Sequence, residues 1–350
     1  MQEYMYFAAL NGGKGFVSFF DGIFADLGRV YIIKGGPGTG KSKLMRDIAA
    51  EAVNKNYTVE YFYCSADPDS LDGIIIKELN IGVLDGTAPH VCDPVYPGSR
   101  EEIVNVGSFW KSDKLKKESD AIRSLTDRKS ALYRELYAYL AAAETLENQR
   151  LSLVSRAVLS EKMEASIVRL LKRFKKGDGF RITPRMVEGL GMKGAVYFDT
   201  LLRSSQKAYV LTDPSGIGSL YLKQIVSVCR QNEQPIIVSH SPVCTDRLNA
   251  VFLPQAGISF SLLPSSFDLP EKEEIGLINT DRFLDKTLLR LDRAKIRFCA
   301  KESDSLIAEA KERFEQIAKL HFDLEQIYIS AMDFSKKEAF TKRLLISIFK

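Results

Sequence analysis

The hydrophobic pattern alternates between two kinds of stretch along the 350 residues of the chain. Residues 1–98 and 178–275 contain short β-branched and apolar runs separated by glycine and proline, and such runs predict buried strands. Residues 99–177 and 276–350 are rich in Leu, Ala, Glu, Lys and Arg, a composition that favours long helices. The pattern therefore predicts two α/β units, each followed by a long helical segment.

Individual elements can be placed within these stretches from their periodicity. Strands are predicted at 29–33, 58–63 and 81–84 in the first unit and at 208–211, 235–238 and 258–263 in the second. Helices are predicted at 43–55, 130–149 and 306–327. About three strands per unit is fewer than the roughly five of a typical doubly wound core. Either the sheets are small, or further strands lie in stretches that look like loops or helices.

The two α/β units match each other when the sequence is shifted by about 177 residues, which is close to half the chain length. The order of strand, turn, helix, strand and helical segment is kept under this shift. The coinciding residues are Pro37 with Pro214, Ser42 with Ser219, Ile48 with Ile225, Leu71 with Leu248 and Ile81 with Ile258. We therefore predict an internal duplication, with two similar but independent α/β units as the alternative.

Composition narrows the class of protein. Hydrophobic residues make up 45% and charged residues 27% of the chain, as in ordinary globular proteins. No apolar run reaches the roughly 18 residues that span a bilayer, and the N-terminus lacks the features of a secretory signal. We therefore expect a cytoplasmic protein with no membrane association. A net charge of only +4, and basic residues without interleaved aromatics, argue against nucleic-acid binding.

The strongest chemical signal is GGPGTGKS at residues 35–42, which matches the phosphate-loop (P-loop) pattern G-x-x-x-x-G-K-[ST] between a predicted strand and helix. Glycines let the backbone wrap around phosphate oxygens, which the loop N–H groups and the helix N-terminus attract. Lys41 is predicted to reach the β- and γ-phosphates, and the Ser42 hydroxyl to bind Mg²⁺. The alternative is an ordinary glycine-rich turn. The predicted ATP-binding residues are Gly35, Gly36, Pro37, Gly38, Thr39, Gly40, Lys41, Ser42 and Lys43.

A second ligand for Mg²⁺ is expected at the end of a buried strand. The apolar run at 81–84 is followed by Asp85 and then by Gly86. Asp85 is predicted to hold Mg²⁺ directly or through water, as a Walker B acid does. The alternative is a turn, since Asp-Gly is a common turn pair. Lys41 and Asp85 are thus the predicted catalytic residues. No acid follows Asp85 directly, so a catalytic base is not evident.

Five further polar residues are candidates for contact with a substrate, a metal or the γ-phosphate. Asp67, Asp69 and Asp72 follow the second predicted strand, at the edge of the sheet where ligands bind in open α/β folds. The alternative for these three is a polar turn with capping side chains. Thr87 and His90 follow Asp85 closely and could sense the γ-phosphate, although a lone histidine is more often structural.

The second unit looks like a damaged copy of the first. Residues 212–219 read TDPSGIGS at the position that aligns with the phosphate loop. Gly218 replaces Lys41 there, and Leu262 replaces Asp85. Because both charges are missing, we predict that the second unit binds nucleotide weakly or not at all.

The chain resembles an uncharacterised group of bacterial tandem P-loop ATPases found in spore-forming Firmicutes and their relatives, some of which are labelled nucleotide kinases. The resemblance is carried by YFAALNGGKGFVSFFD, YIIKGGPGTGKSKLM, VEYFYCSADPDSLDGIIIKELNIGVLDGTAPHVCDP and IYISAMDFSKKEAF. It implies duplicated P-loop NTPase-like three-layer α/β cores, with ATP and Mg²⁺ as ligands. On this basis 1–98 is the domain with an intact Walker A motif, 99–177 a helical segment, 178–275 a degenerate P-loop-like domain and 276–350 a C-terminal helical segment.

Three functions remain open. The first is Mg²⁺-dependent ATP binding and hydrolysis by the first unit, with the second copy in a structural or regulatory role. The second is a small-molecule or nucleotide kinase, and the third is a non-catalytic, nucleotide-dependent scaffold whose long helices bind a partner. The GPGTGK core is similar to that of AAA-type and RecA-type ATPases, which favours the first. A small-molecule or protein partner and a homo-oligomer are both compatible with the sequence.

Overall fold

The computed structural model describes residues 3–89, 91–172, 176–264, 267–268 and 275–350. These residues form two mixed α/β units, each followed by long helices, which we call the first half (3–172) and the second half (176–350). Among the described residues, no helix has both the length and the apolar character needed to cross a membrane.

The first half contains one six-stranded sheet, a separate hairpin and five α-helices. Its strands are β1 (Tyr4–Phe7), β2 (Ala9–Gly12), β3 (Gly15–Ser18), β4 (Arg29–Lys34), β5 (Val59–Tyr63), β6 (Leu71–Ile76), β7 (Ile81–Asp85) and β8 (Glu101–Asn105). Its helices are α1 (Phe20–Phe24), α2 (Lys41–Asn54), α3 (Ser112–Lys117), α4 (Ser119–Ser155) and α5 (Ser160–Leu171). The sheet order is β1-β5-β6-β7-β4-β8, and only β6 runs antiparallel to its neighbours. Strands β2 and β3 form the hairpin.

The second half repeats this arrangement. Its strands are β9 (Ile182–Pro184), β10 (Glu188–Gly191), β11 (Gly194–Tyr197), β12 (Lys207–Thr212), β13 (Ile236–His240), β14 (Leu248–Leu253), β15 (Ile258–Leu262) and β16 (Ile275–Asn279). Its helices are α6 (Thr200–Ser204), α7 (Gly218–Gln231), α8 (Lys286–Leu291), α9 (Arg293–Ala331) and α10 (Phe334–Ile348). The sheet order, β9-β13-β14-β15-β12-β16, matches the first sheet strand for strand, and only β14 is antiparallel to its neighbours. The predicted duplication is therefore confirmed, whereas the P-loop NTPase character of the two cores stays a prediction.

Strand β4 shows how side-chain alternation builds the layers. Val30 and Ile32 point to one face of the first sheet, where they pack with α1 and with residues of the second half. Tyr31 and Ile33 point to the other face, where they pack with α2 and α10. Because successive side chains of a strand point to opposite faces, an apolar run such as this one must be covered on both sides.

The last helix of each half packs on the other half. Ile167 of α5 lies in the apolar cluster of the second half, together with Tyr221 of α7. Leu344 and Ile348 of α10 lie in the cluster of the first half, together with Leu44 of α2. Each such buried side chain contributes about 1.5–3 kcal/mol of stability. Neither half therefore completes its core with its own segment of chain.

The long helices α4 and α9 form an antiparallel pair. Ser303 of α9 donates to the backbone oxygen of Ala143 (3.4 Å), and Arg313, further along α9, contacts Tyr139, which precedes Ala143 on α4. Phe314 and other fully buried apolar residues close the seam between the two helices. Both helices extend beyond the predicted segments 130–149 and 306–327, which lie within them.

The six predicted strands are all present, but each sheet contains six strands instead of three. Strands β1 and β9 were missed because runs of three or four residues carry little periodicity. Strands β8 and β16 were missed because they lie at the starts of the two stretches whose composition predicted helices. Strand β6 was missed for another reason: all six of its residues are buried, and it includes Asp72 and Gly73, so it has neither alternation nor an uninterrupted apolar run. Asp72, expected in a polar segment after a strand, lies inside β6.

Candidate functional site

Residues 35–40, which we call the glycine loop, connect the end of β4 to the start of α2. Gly38 and Gly40 have positive φ angles of 64° and 77°, a conformation that side chains disfavour. The buried Thr39 fixes the loop from inside, since its hydroxyl donates to the backbone oxygen of Gly36 at 2.8 Å. Two glycines of the loop thus adopt a conformation that favours glycine, whereas phosphate binding by the loop stays a prediction.

The two predicted catalytic residues lie together. The Lys41 ammonium donates to the backbone oxygens of Gly36 (2.7 Å) and Gly35 (3.1 Å), and it lies 3.4 Å from Asp85 Oδ2. This approach follows from the sheet order, because β7 neighbours β4 and Asp85 pairs in register with Ile33. Both charged side chains are only about one-seventh exposed, at 13% and 14%.

Asp85 is held by its neighbours as well as by Lys41. Burial raises the pKa of its carboxyl, while the Lys41 ammonium and hydrogen bonds from Thr87 act in the opposite direction. The Thr87 N–H donates to Asp85 Oδ1 at 2.9 Å, and the Thr87 hydroxyl lies between that oxygen and the backbone oxygen of Gly35. Thr87 therefore connects the acid at the end of β7 with the glycine loop.

Ser42 and Asp72 complete the charged end of the sheet. The Ser42 hydroxyl oxygen, in the first turn of α2, accepts a hydrogen bond from the Leu71 N–H at 3.0 Å. Asp72, which follows Leu71, is 4% exposed, and its negative charge contributes to the raised pKa of Asp85. The structure thus brings Lys41, Ser42, Asp72, Asp85 and Thr87 to one site.

The other predicted residues are placed differently. Asp67 stabilises a turn, accepting from the Ser70 hydroxyl (2.6 Å) and from the Asp69 N–H (3.3 Å). The Asp69 side chain is paired with Lys193, in the turn between β10 and β11. Lys43 is exposed and donates to Asp47 at 3.2 Å. His90 lies outside the described residues.

Helices α9 and α10 cover the glycine loop with residues that sequence reasoning missed. The Gly38 N–H donates to Glu325 Oε1 at 3.2 Å. A side chain at Gly38 would come within 2.8 Å of the backbone oxygen of Glu325 and 2.9 Å of Ile329, and one at Gly40 within 2.9 Å of the Lys337 ammonium. The segment IYISAMDFSKKEAF contains Ile329 and Lys337, but nothing in its pattern indicates that these residues lie beside the glycine loop.

The cover brings further charge to the site. His321, one turn before Glu325, lies 3.6 Å from its carboxylate, and burial lowers the pKa of this imidazole. Burial also lowers the pKa of Lys129 on α4, an effect that the charge of Glu325 opposes. The site therefore combines residues of both halves.

In the second half, the corresponding loop at residues 213–217 binds a carboxylate of its own. Asp213, which aligns with Gly36, accepts hydrogen bonds through Oδ1 from the Ile217 N–H (2.8 Å) and the Thr280 hydroxyl (2.6 Å). Its Oδ2 accepts from the Gly218 N–H at 2.8 Å. The N–H groups of Ile217 and Gly218, at the start of α7, are therefore already satisfied from within the chain. These bonds hold the second loop in a conformation of its own, since Ile217, at the position of Gly40, has a φ of −102° instead of 77°.

A cavity of about 370 Å³ lies beside this second loop. Arg150 and Arg247 line it, and both guanidinium groups lie near Glu147, at 3.0 Å and 3.7 Å. Asp304 and Lys311 of α9 also line it. The two ends of the α4–α9 pair thus lie at the two loops.

Among the described residues, no group of three or more His, Cys, Asp or Glu side chains has the arrangement of a metal cluster. Comparison with known proteins gives no relative: no protein-family model, no curated protein and no solved structure matches the chain.

Proposed function

We propose that the first half binds Mg²⁺–ATP at the glycine loop and hydrolyses it. The observation that supports this best is the position of Lys41 between the loop carbonyls and Asp85, at 2.7 Å from Gly36 O and 3.4 Å from Asp85 Oδ2. A lysine at this position can exchange the loop carbonyls for phosphate oxygens, and the loop N–H groups can donate to the same phosphates.

The residues present fit a magnesium ion. Mg²⁺ takes few protein ligands, usually a carboxylate or hydroxyl, and completes its octahedron with phosphate oxygens and water. Ser42 follows Lys41 in the first turn of α2, and the Asp85 carboxylate lies 3.4 Å from the Lys41 ammonium, so these two residues would hold the ion. When bound, the ion would neutralise charge that develops on the phosphates.

Three further roles in the reaction fall to residues of the protein itself. Lys41 stabilises negative charge on the phosphoryl group. Thr87 holds the Asp85 carboxylate in place through its N–H, at 2.9 Å. Because Gly86 follows Asp85, the acid that orients the attacking water is expected to be Asp72, whose charge acts on the Asp85 carboxyl and whose neighbour Leu71 donates to Ser42.

Single-turnover and steady-state assays with Mg²⁺–ATP test this proposal. ADP and inorganic phosphate are followed with and without a panel of nucleosides, nucleotides and metabolites. Free phosphate in the absence of an acceptor supports an ATPase. ADP with a phosphorylated acceptor and little free phosphate would support a kinase, and binding without turnover would support a scaffold.

The matched variants are Lys41→Ala and Lys55→Ala, which remove the same charge at opposite ends of the α2 region. Loss of a charge-assisted hydrogen bond to phosphate costs about 1.5–3 kcal/mol, so Lys41→Ala is expected to weaken ATP binding at least 10-fold. Lys55→Ala is expected to bind as the wild type does, because its side chain pairs with Glu51 at the far end of the helix. Equal binding by Lys41→Ala and the wild type would refute the assignment of the loop.

A further inference from the structure

Each half of the protein places a carboxylate on the N–H groups of its loop, but the two carboxylates differ in origin. Asp213 belongs to the second loop itself and accepts three hydrogen bonds. Glu325 reaches the glycine loop from α9, 287 residues away in sequence, and accepts one hydrogen bond from Gly38. Its side chain is also 33% exposed. The carboxylate on the first loop is therefore the one that can leave.

We propose that Glu325 is an internal competitor for the phosphates of the nucleotide, and that ATP binding displaces Glu325 and the C-terminal end of α9 from the glycine loop. This inference rests on the proposed function, because it concerns the regulation of the same site.

Competition follows from the hydrogen-bonding capacity of the loop. A backbone N–H makes one strong hydrogen bond, and that of Gly38 is made to the Glu325 carboxylate. A triphosphate wrapped by the loop requires the same N–H groups. Two anions at one donor would also repel each other in a partly buried site, where charge interactions are stronger than in water. Bound phosphate and the Glu325 carboxylate therefore exclude each other.

Displacement of the side chain also involves the helix, because α9 lies directly on the loop. The position of a Gly38 side chain is 2.8 Å from the backbone oxygen of Glu325, and that of a Gly36 side chain is 3.1 Å from the ring of Tyr328. A loop that opens around phosphate pushes against helix backbone, which cannot yield as a flexible side chain can. The loop and the end of α9 are therefore expected to move together.

Such a movement has a path to the second half. The C-terminal end of α9 lies at the glycine loop, and its N-terminal part, including Asp304 and Lys311, lines the cavity of the second half. The paired helix α4 places Arg150 against Gly216 of the second loop. Occupancy of the first loop is thus linked by one packed helix pair to the cavity beside the other.

The chain contains a natural reporter of this movement. Its only tryptophan, Trp110, packs against Tyr328 of α9 with the ring centroids 5.7 Å apart. Trp110 also lies 3.2 Å from the side-chain position at Gly36. Its fluorescence therefore responds to the separation of α9 from the glycine loop, without any added label.

The test compares Glu325→Gln with the matched control Glu315→Gln, an exposed glutamate earlier on the same helix. The probes are Mg²⁺–ATP, inorganic tripolyphosphate and adenosine, titrated against the full-length protein by calorimetry and Trp110 emission. We expect Glu325→Gln to bind ATP and tripolyphosphate about 3- to 10-fold more tightly than the wild type, since a neutral amide oxygen competes less well than a carboxylate. Adenosine binding and the Glu315→Gln variant are expected to be unchanged.

The emission of Trp110 is expected to change on ATP binding in the wild type. The emission of nucleotide-free Glu325→Gln is expected to be closer to that of the ATP-bound wild type than to that of the free wild type. Unchanged or weaker ATP binding by Glu325→Gln, beside a wild type that binds ATP through Lys41, would overturn this inference and leave the proposed function intact. Constant Trp110 emission at saturating ATP would also overturn it. Failure of the wild type to bind ATP at all would instead overturn the proposed function.

Discussion

The carboxylate of Asp213 offers the sharpest test of how the second loop is held, and the test is independent of any ligand. Substitution of Asp213 by alanine removes the acceptor of three hydrogen bonds, two from N–H groups at 2.8 Å and one from the Thr280 hydroxyl at 2.6 Å. It also removes a negative charge from the N-terminus of α7, where the helix dipole favours one. No other part of the second loop replaces these interactions.

The expected cost can be worked from these contacts. A hydrogen bond to a charged group contributes about 1.5–3 kcal/mol when its partner is left unsatisfied, and a charge at a helix N-terminus about 0.3–1 kcal/mol. The adjacent cavity of about 370 Å³ allows water to reach the freed N–H groups, which reduces the loss. We therefore expect Asp213→Ala to lower the free energy of unfolding by about 2–4 kcal/mol.

Urea unfolding followed by circular dichroism measures this difference. The control is Asp304→Ala, which removes an exposed acid at the same cavity and is expected to stay within about 0.5 kcal/mol of the wild type. Sulfate provides a second readout, because the freed N–H groups of Asp213→Ala form an anion site that the wild type fills internally. At ten times its Kd, sulfate would restore about 1.4 kcal/mol to the variant only. Equal stability of the two variants would refute the role given to Asp213.

Two further predictions concern buried charge. Arg185 and Glu60 join the halves through contacts at 3.0 and 2.8 Å, and their exposed fractions are 8% and 5%. Arg185→Met removes this partner, leaves the ion pair of Glu60 with Lys77, and is expected to cost about 3 kcal/mol in urea unfolding. A loss below about 1 kcal/mol would contradict this. Burial raises the pKa of Glu188, so the folded state holds its proton more tightly than the unfolded state. The stability from this group is therefore complete below the unfolded pKa of about 4.3 and lost as pH rises through the folded pKa. Glu188→Gln, which keeps an acceptor for Asn249, should unfold at a higher temperature than the wild type near pH 7 and at the same temperature near pH 4; a difference independent of pH would contradict the assignment.

Much of the fold was accessible from local patterns. The apolar run of β4, the glycines of the loop and the apolar stripe of α2 follow one another within 26 residues, Arg29 to Asn54, and each is determined by neighbours a few positions away. The duplication was also visible, because the second copy keeps the same order of elements at nearly constant spacing. The sequence also placed Asp85 at the end of a buried strand, but the sheet order that brings this strand beside β4 was not predicted.

The second loop shows a signal that was present and not used. Asp213 precedes proline and glycine in TDPSGIGS, and aspartate in such a segment often caps a turn or a helix N-terminus with its side chain. The missing lysine and the missing acid predicted a loop without phosphate chemistry. That stays a prediction, to which the structure adds that Asp213 accepts hydrogen bonds from the Ile217 and Gly218 N–H groups.

The sequence by itself determined three strands of each sheet, helix α2, the duplication and the presence of one lysine-bearing glycine loop, because each is carried by a pattern of neighbouring residues. Only the tertiary structure decided that β6 in the first sheet and β14 in the second are the antiparallel strands. It also decided that α5 and α10 pack on opposite halves and that Glu325 meets Gly38. The packing of α5 and α10 and the contact between Glu325 and Gly38, 287 positions apart, join distant parts of the chain, and no local pattern encodes the choice of partner. The loop and lysine of the candidate site are therefore predictable from neighbouring residues, whereas the helix that covers them is known only from the tertiary structure.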